Sequence, residues 1–243
     1  MVAGLAVATV QAEEKASRAF VVVSAEVNPL VEQDAATQPK TFSLHVNDYE
    51  EFGGVSVGGP KPPSSEVVAQ AVQAVLPEIG LEPVAAGATP DLVIACDWGE
   101  ISPEGSDRKF QGNPVGHITR MTALLYGRTA PRAFIKGWER AQLQEAGTRS
   151  RYFVMVTAYD GAAMAEGRKQ IRWQTRMSTD ALSARGGEQV WTALVDAGDE
   201  FFGSNLTKPE LAWGTGMGDV VVANEAPSPD LSAVGGRLEF SFL

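Results

Sequence analysis

The pattern of hydrophobic and polar positions divides the chain into two well-marked blocks. Ala19–Ser24 is rich in β-branched residues, and Lys40–Val46 alternates, with Phe42, Leu44 and Val46 on one face and His45 on the other. That period of two predicts a half-buried strand. After the Gly/Pro-rich loop Gly53–Pro63, Ser64 or Ser65 caps a helix predicted through about Ile79. Val68, Ala71, Val72 and Val75 recur there at helical spacing, Glu66 lies in the first turn, and Gly80 is the stop despite Pro77. Leu81–Ala85 reads as a short strand, Thr89-Pro90-Asp91 as a turn, and Leu92–Trp98 as a central strand.

In the second block, Tyr152–Tyr159 is apolar on both faces, which places it inside a sheet. Lys169–Met177 follows as a half-exposed partner strand, with Ile171, Trp173, Thr175 and Met177 opposite Gln170, Arg172, Gln174 and Arg176. Gly186-Gly187 precedes a helix over Glu188–Phe202 whose buried stripe is Val190, Trp191, Leu194, Val195 and Phe201. Between the blocks, Gly99 to Ser150 is rich in Gly and Pro and reads as a loop-rich insertion, with Met121–Tyr126 as a strand and Trp138–Ala146 as a short helix. Asp219–Ala223 and Arg237–Phe242 are further expected strands, and the chain end Ala233–Leu243 is a segment suited to pairing with a neighbouring subunit. The element order predicts one α+β domain over 13–243, with a mixed, mostly antiparallel sheet and two main helices on one face.

Composition narrows the class. Hydrophobic residues are 44% and charged residues 21% of the 243 residues, the proportions of a folded chain. No apolar run reaches the roughly 18–20 residues of a transmembrane helix, and the net charge of −10 argues against a nucleic-acid partner. The charge is segregated. Residues 1–107 carry 4 basic and 16 acidic residues, 108–185 carry 14 and 5, and 186–243 carry 2 and 9. Such a pattern predicts either oppositely charged segments lying against each other or an anion-binding face in the middle, and the first is the expectation.

Residues 1–12 resemble a signal segment, with apolar Val2–Val10 and small or tolerated residues at Val10 and Ala12, though no basic residue precedes them. The lone Cys96 lies in an apolar run, so it reads as a small buried hydrophobe.

Few residues suggest chemistry. The Gly53–Lys61 loop fails the phosphate-loop pattern, because Pro60 and Pro62 remove backbone donors and no Gly-Lys-Ser/Thr follows at the required spacing. Gly214–Asp219 precedes a β-rich run rather than a helix and reads as a turn. Asp97 and Glu100 flank Trp98-Gly99 at an expected strand exit, where paired carboxylates can do acid–base work or hold a cation, with His45 and Asp48 converging if the strands are neighbours. The alternative is a solvated strand exit with turn-forming acids. In the basic segment, Arg168, Arg172 and Arg176 are candidates for binding an anion or a partner, against the alternative of a charged edge strand.

The block Lys40–Val46, the helix from Ser65, Gly80-Leu81-Glu82-Pro83-Val84 and Pro90-Asp91-Leu92-Val93 resembles a family of bacterial cell-envelope proteins of unknown function, many of them lipoproteins. Tyr152–Asp160, Trp173 and the helix ending Phe202-Gly203 are similar to the same group's C-terminal half. The resemblance implies an exported, periplasmic or envelope-located α+β domain, with no catalytic residues to transfer. Cys96 lies too far along the chain to be the lipid-bearing cysteine of the lipoprotein members.

These readings favour a non-enzymatic, exported, envelope-associated domain that binds a protein partner or assembles with itself, with no cofactor or metal and at most peripheral membrane contact. A hydrolase or metal-dependent enzyme using Asp97, Glu100 and His45 is the alternative, and polyanion binding by the arginines is the second. A cytoplasmic location is the alternative to the envelope.

Overall fold

In the computed structural model, residues 18–29, 38–52, 62–102, 124, 149–181, 189–207 and 209–215 are described. The sheet comprises β1 (Arg18–Val27), β2 (Thr41–Val46), β3 (Glu50–Phe52), β4 (Glu82–Pro83), β5 (Leu92–Ile101), β6 (Arg151–Asp160), β7 (Ile171–Asp180) and β8 (Glu210–Thr215). Among the described residues, helices with defined bounds are α1 (Ser65–Val75), the short α2 (Gly161–Ala165) and α3 (Gln189–Gly198). The strands run in the order β4-β2-β5-β6-β7-β1-β8, and β3 continues the line of β2 along β5. The pairs from β5 to β8 are antiparallel, whereas β2, β3 and β4 join in parallel. This is the mixed, mostly antiparallel α+β fold expected, with α1 and α3 on one face. No helix among the described residues is long and apolar enough to cross a membrane.

Side chains of period two build the helical layer. Ile94, Cys96 and Trp98 of β5, Val154 and Val156 of β6 and Met177 of β7 are buried beneath α1 and α3. Burying this apolar surface is the main driving force for the layer. Gly198 brings α3 down onto the sheet, since a Cβ there would lie 2.3 Å from the sulfur of Met177.

The capped helix divides where its sequence changes. Pro77 has no N–H to continue the α-helical ladder, so α1 tightens at Val75 into a 3₁₀ turn over Leu76–Ile79. Gly80 closes it in the left-handed conformation, donating its N–H to the carbonyls of Leu76 and Pro77. Ser64 takes the N-cap position, but only its backbone oxygen is engaged, by the Val67 N–H at 3.0 Å.

Several expectations are corrected. β5 continues through Gly99 and Glu100 to Ile101, so the insertion does not begin at 99. Leu124 is helical, contrary to the strand expected over 121–126, and it packs with Ile101 and Phe153. Leu81–Ala85 reduces to the two-residue β4, and the Asp160–Gly167 connection contains α2, whose N–H of Ala163 is capped by the Asp160 carboxylate at 2.8 Å. β7 lies between β6 and β1 rather than at an edge. Gly214 and Thr215 belong to β8 rather than to a turn. The signal-like segment, the Gly53–Lys61 loop, the helix expected at 138–146 and the strands expected at 219–223 and 237–242 lie outside the described residues.

Candidate functional site

Away from α1 and α3, the second face of the sheet carries most of the buried polar side chains. Asp97 of β5 points there, between the lines of β2 and β6, and is only 3% exposed. The break between β2 and β3 sets its surroundings. Asn47, the first residue of the break, donates its backbone N–H to the Cys96 carbonyl at 2.9 Å and receives the Trp98 indole N–H on its own carbonyl at 2.9 Å. Its side-chain amide donates to Asp97 Oδ1 at 2.5 Å. Beyond it, β3 pairs Glu50 with Gly99, and the two strands approach so closely that a Cβ at position 99 would lie 1.8 Å from the Glu50 carbonyl oxygen. A glycine is required there by contact with backbone, which cannot rotate away.

Glu50 thereby shares the Asp97 face. Burial, and then the Asp97 carboxylate, push the Glu50 carboxyl from its usual 4.5 up to about 7. Its Oε2 is buried and has no hydrogen-bond partner among the described residues. Burial also raises Asp97, opposed by the Asn47 hydrogen bond and by His45. Tyr159 is raised by burial and by Asp97. The result is a carboxyl pair, on β3 and β5, that favours retaining a proton toward neutral pH. Among the described residues no group of three His, Cys, Asp or Glu side chains is arranged to hold a metal ion.

The sequence candidates separate. Asp97 and His45 share a face, and His45 is exposed at its rim. Glu100, an odd number of residues from Asp97 on the same strand, faces the helical layer instead. There it lies opposite Tyr152, and burial first and then the Glu100 carboxylate raise that phenol to about 12 and raise the phenol of Tyr49 as well. Around it Tyr49, Trp98, Tyr152 and Trp191 pack ring on ring, with centroids 5.1–5.9 Å apart. Asp48 is exposed in the turn between β2 and β3. Glu50, which the sequence reading passed over, takes the place beside Asp97 that Glu100 was expected to hold.

The arginines do not form a stripe. Arg168 is exposed and pairs with exposed Glu166 at 2.5 Å. Arg172 is skipped by the β6–β7 register, where a bulge interrupts the alternation, and pairs with Asp160 at 3.3 Å. Arg176 is only 5% exposed on the second face, where it pairs with Glu26 of β1 at 2.5 Å and also bonds Gln174. Each meets an acid within its own chain, but only Arg176–Glu26 joins the basic middle to an acidic segment; Glu166 and Asp160 belong to the middle segment itself. Cys96 is fully buried, and its thiol is raised by burial and by Asp97, away from the thiolate needed of a nucleophile.

The carboxyl pair predicts a pH dependence of stability. An acid raised by folding favours the folded state while protonated, so the Glu50 contribution is complete below 4.5 and is lost as pH rises through about 7. Asp91 acts oppositely. Its carboxylate accepts the Lys40 and Thr41 N–H groups at 2.9 and 3.0 Å and is held below its usual range, so its contribution disappears in acid. Thermal denaturation across this range should show Tm falling toward neutral pH, and Glu50→Gln should flatten that limb while Asp97 supplies the remainder. An unchanged slope in Glu50→Gln would refute the placement of Glu50.

No protein-family model matches the chain, and no curated protein does. Among solved structures, a point variant of the PelC dodecamer from Paraburkholderia phytofirmans overlaps 75% of this chain and 96% of its own, at 9% identity and a TM-score of 0.34. The PelC dodecamer in another crystal form overlaps 72% and 91%, at 10% identity and 0.32. A PDZ domain protein from Parabacteroides distasonis overlaps 67% and 31%, at 12% identity and 0.33. Overlaps this loose bear on neither mechanism nor partner.

Proposed function

We propose that the chain is a non-enzymatic, exported, envelope-associated α+β domain that works by strand pairing, with a protein partner or with copies of itself. The observation supporting this reading is the inequality of the two sheet edges. At one end β4 is two residues long and contains Pro83, which has no N–H to offer a further strand. At the other, β8 is the outer strand among the described residues. It is six residues long, with Glu210 as its one charged side chain and Leu211 42% exposed. Natural sheets blunt an edge of this kind unless it is used. The export part of the reading rests on the sequence resemblance and the signal-like segment.

Light scattering on the full chain at concentrations up to about 100 µM should give a mass above that of one chain, in the range where edge pairing is expected to operate. Fractionation of a bacterial producer should place the protein in the envelope fraction. A monomer at every concentration would remove the self-assembly arm, and an exclusively cytoplasmic protein would remove the export arm.

A further inference from the structure

We infer that β3 is a proton-operated latch, docked on β5 while Glu50 or Asp97 keeps its proton and released when both carboxyls ionise. The backbone is built for local release. β2 is registered to β5 from Phe42 to Val46, whereas β3 is registered only from Glu50 to Phe52. Between them Asn47 is pinned to β5 by its N–H on the Cys96 carbonyl, by the Trp98 indole on its own carbonyl, and by its side chain on Asp97. Asp48 and Tyr49 then cross to β3 without strand pairing. A pinned residue followed by an unpaired step is a hinge, about which β3 can swing while β2 stays in place. At its far end β3 is held by the Ser102 N–H on the Phe52 carbonyl at 2.7 Å and by the Phe52 ring, 6.0 Å from that of Phe153. Short ladders of this kind open at lower free energy than the interior of a sheet.

The side chains set the condition for opening. Glu50 is registered with Gly99, so Asp97, two residues back on the same face, is its diagonal neighbour. Glu50 is half-buried there and Asp97 is 3% exposed. The other titratable or charged groups described around them come from three places. His45 of β2 favours the Asp97 carboxylate from the rim, and Asp48 is exposed at the hinge. From β6 come Tyr159, raised by burial and by Asp97, and Arg151, whose guanidinium bonds the Ser178 carbonyl and hydroxyl at 3.2 Å. On the other face of β3, Glu51 is registered with Glu100, beside Tyr49 and Tyr152. The latch therefore sets acids against acids on both of its faces, and like charges across a ladder oppose pairing. The Glu50 carboxyl, pushed up to about 7, loses its proton near neutrality. Release returns it to water and takes it away from Asp97, so deprotonation favours the open state.

Amide hydrogen exchange of the full chain tests the latch, read as protection factors that divide out the intrinsic pH dependence of exchange. Protection over Glu50–Phe52 and at Ser102, whose N–H bonds the Phe52 carbonyl, should fall at least about tenfold from about pH 5.5 to about pH 8.5. These amides should be less protected than those of β6 and β7. Their exchange should also be insensitive to urea below the denaturing range, because local release exposes little surface. Glu50→Gln should remove most of the pH-dependent fall. Asp97→Asn, the second variant should the first fold poorly, should reduce it by withdrawing the facing charge. A β3 protection that does not change with pH, or that changes alike in the parent and both variants, would overturn the latch. Exchange of β3 with the protection and urea sensitivity of β6 and β7 would overturn local release, while leaving the pH dependence of global stability standing.

Discussion

Arg176→Ala is expected to cost the fold about 3–5 kcal/mol, a fall in Tm of roughly 6–20 °C for a chain of this size. Arg176 and Glu26 lie on adjacent strands, β7 and β1, with side chains only 6% and 10% exposed, and their charged atoms are 2.5 Å apart. Taking two charges out of water is costly, and the pair is tolerated because each ion offsets the other while Gln174 bonds the guanidinium and donates in turn to Thr157 at 2.6 Å. Truncating Arg176 leaves a buried carboxylate without this cation. The expected asymmetry is diagnostic: Glu26→Leu with Arg176→Met, which removes both charges and fills the volume, should recover most of the loss or exceed the parent. Urea denaturation of the three proteins measures it. A loss below about 1 kcal/mol for Arg176→Ala would be the behaviour of a surface pair and would contradict its burial.

The same residue shows what was legible in the sequence. The segregated charge is matched between segments at Arg176–Glu26, whereas Arg168 and Arg172 find acids of their own segment, and the alternation of Tyr152–Tyr159 correctly placed β6 inside the sheet, because a strand covered on both faces is apolar on both. The two helices were legible because their apolar positions recur at helical spacing. What alternation could not supply was the neighbour of each face. Polar Arg176 and Gln174 read as solvent-facing, yet Arg176 is buried on the second face, where it bonds Glu26 of β1 and Gln174, and Gln174 bonds Thr157 of β6. The bulge that skips Arg172 breaks the assumed stripe, and nothing in one strand's sequence announces a bulge formed with another. The candidate site failed for a related reason. Asp97 and Glu100 were near in sequence, and a strand exit would have allowed them to converge. A strand continuing through Gly99 instead sends residues three apart to opposite faces. Glu50 was missed because three residues of β3 are too few to show a period. Gly99, inside a strand and beside two acids, was the available signal that another backbone comes close.

Gly99→Ala should therefore do two things at once. Its Cβ would sit 1.8 Å from the carbonyl oxygen and 2.7 Å from the carbonyl carbon of Glu50. Both are main-chain atoms, so relief requires β3 to move off β5, and the expected cost is about 3 kcal/mol, at the upper end of ordinary overpacking. Moving β3 also withdraws Glu50 from Asp97 and returns it to water, so its carboxyl should fall back toward 4.5 and the decline of stability toward neutral pH should flatten, as in Glu50→Gln. Gly87→Ala separates this from a general glycine effect. Gly87 has a left-handed backbone (φ 81°) with nothing among the described residues within 4 Å of an added Cβ, so alanine there should cost only the conformational penalty of about 1–2 kcal/mol and leave the pH slope intact. Denaturation midpoints of the three variants across the Glu50 titration range make the comparison. If Gly99→Ala lowers stability but keeps the parent slope, β3 has another way to hold Glu50 against Asp97, and the close approach at Gly99 is a packing feature without influence on the carboxyl pair.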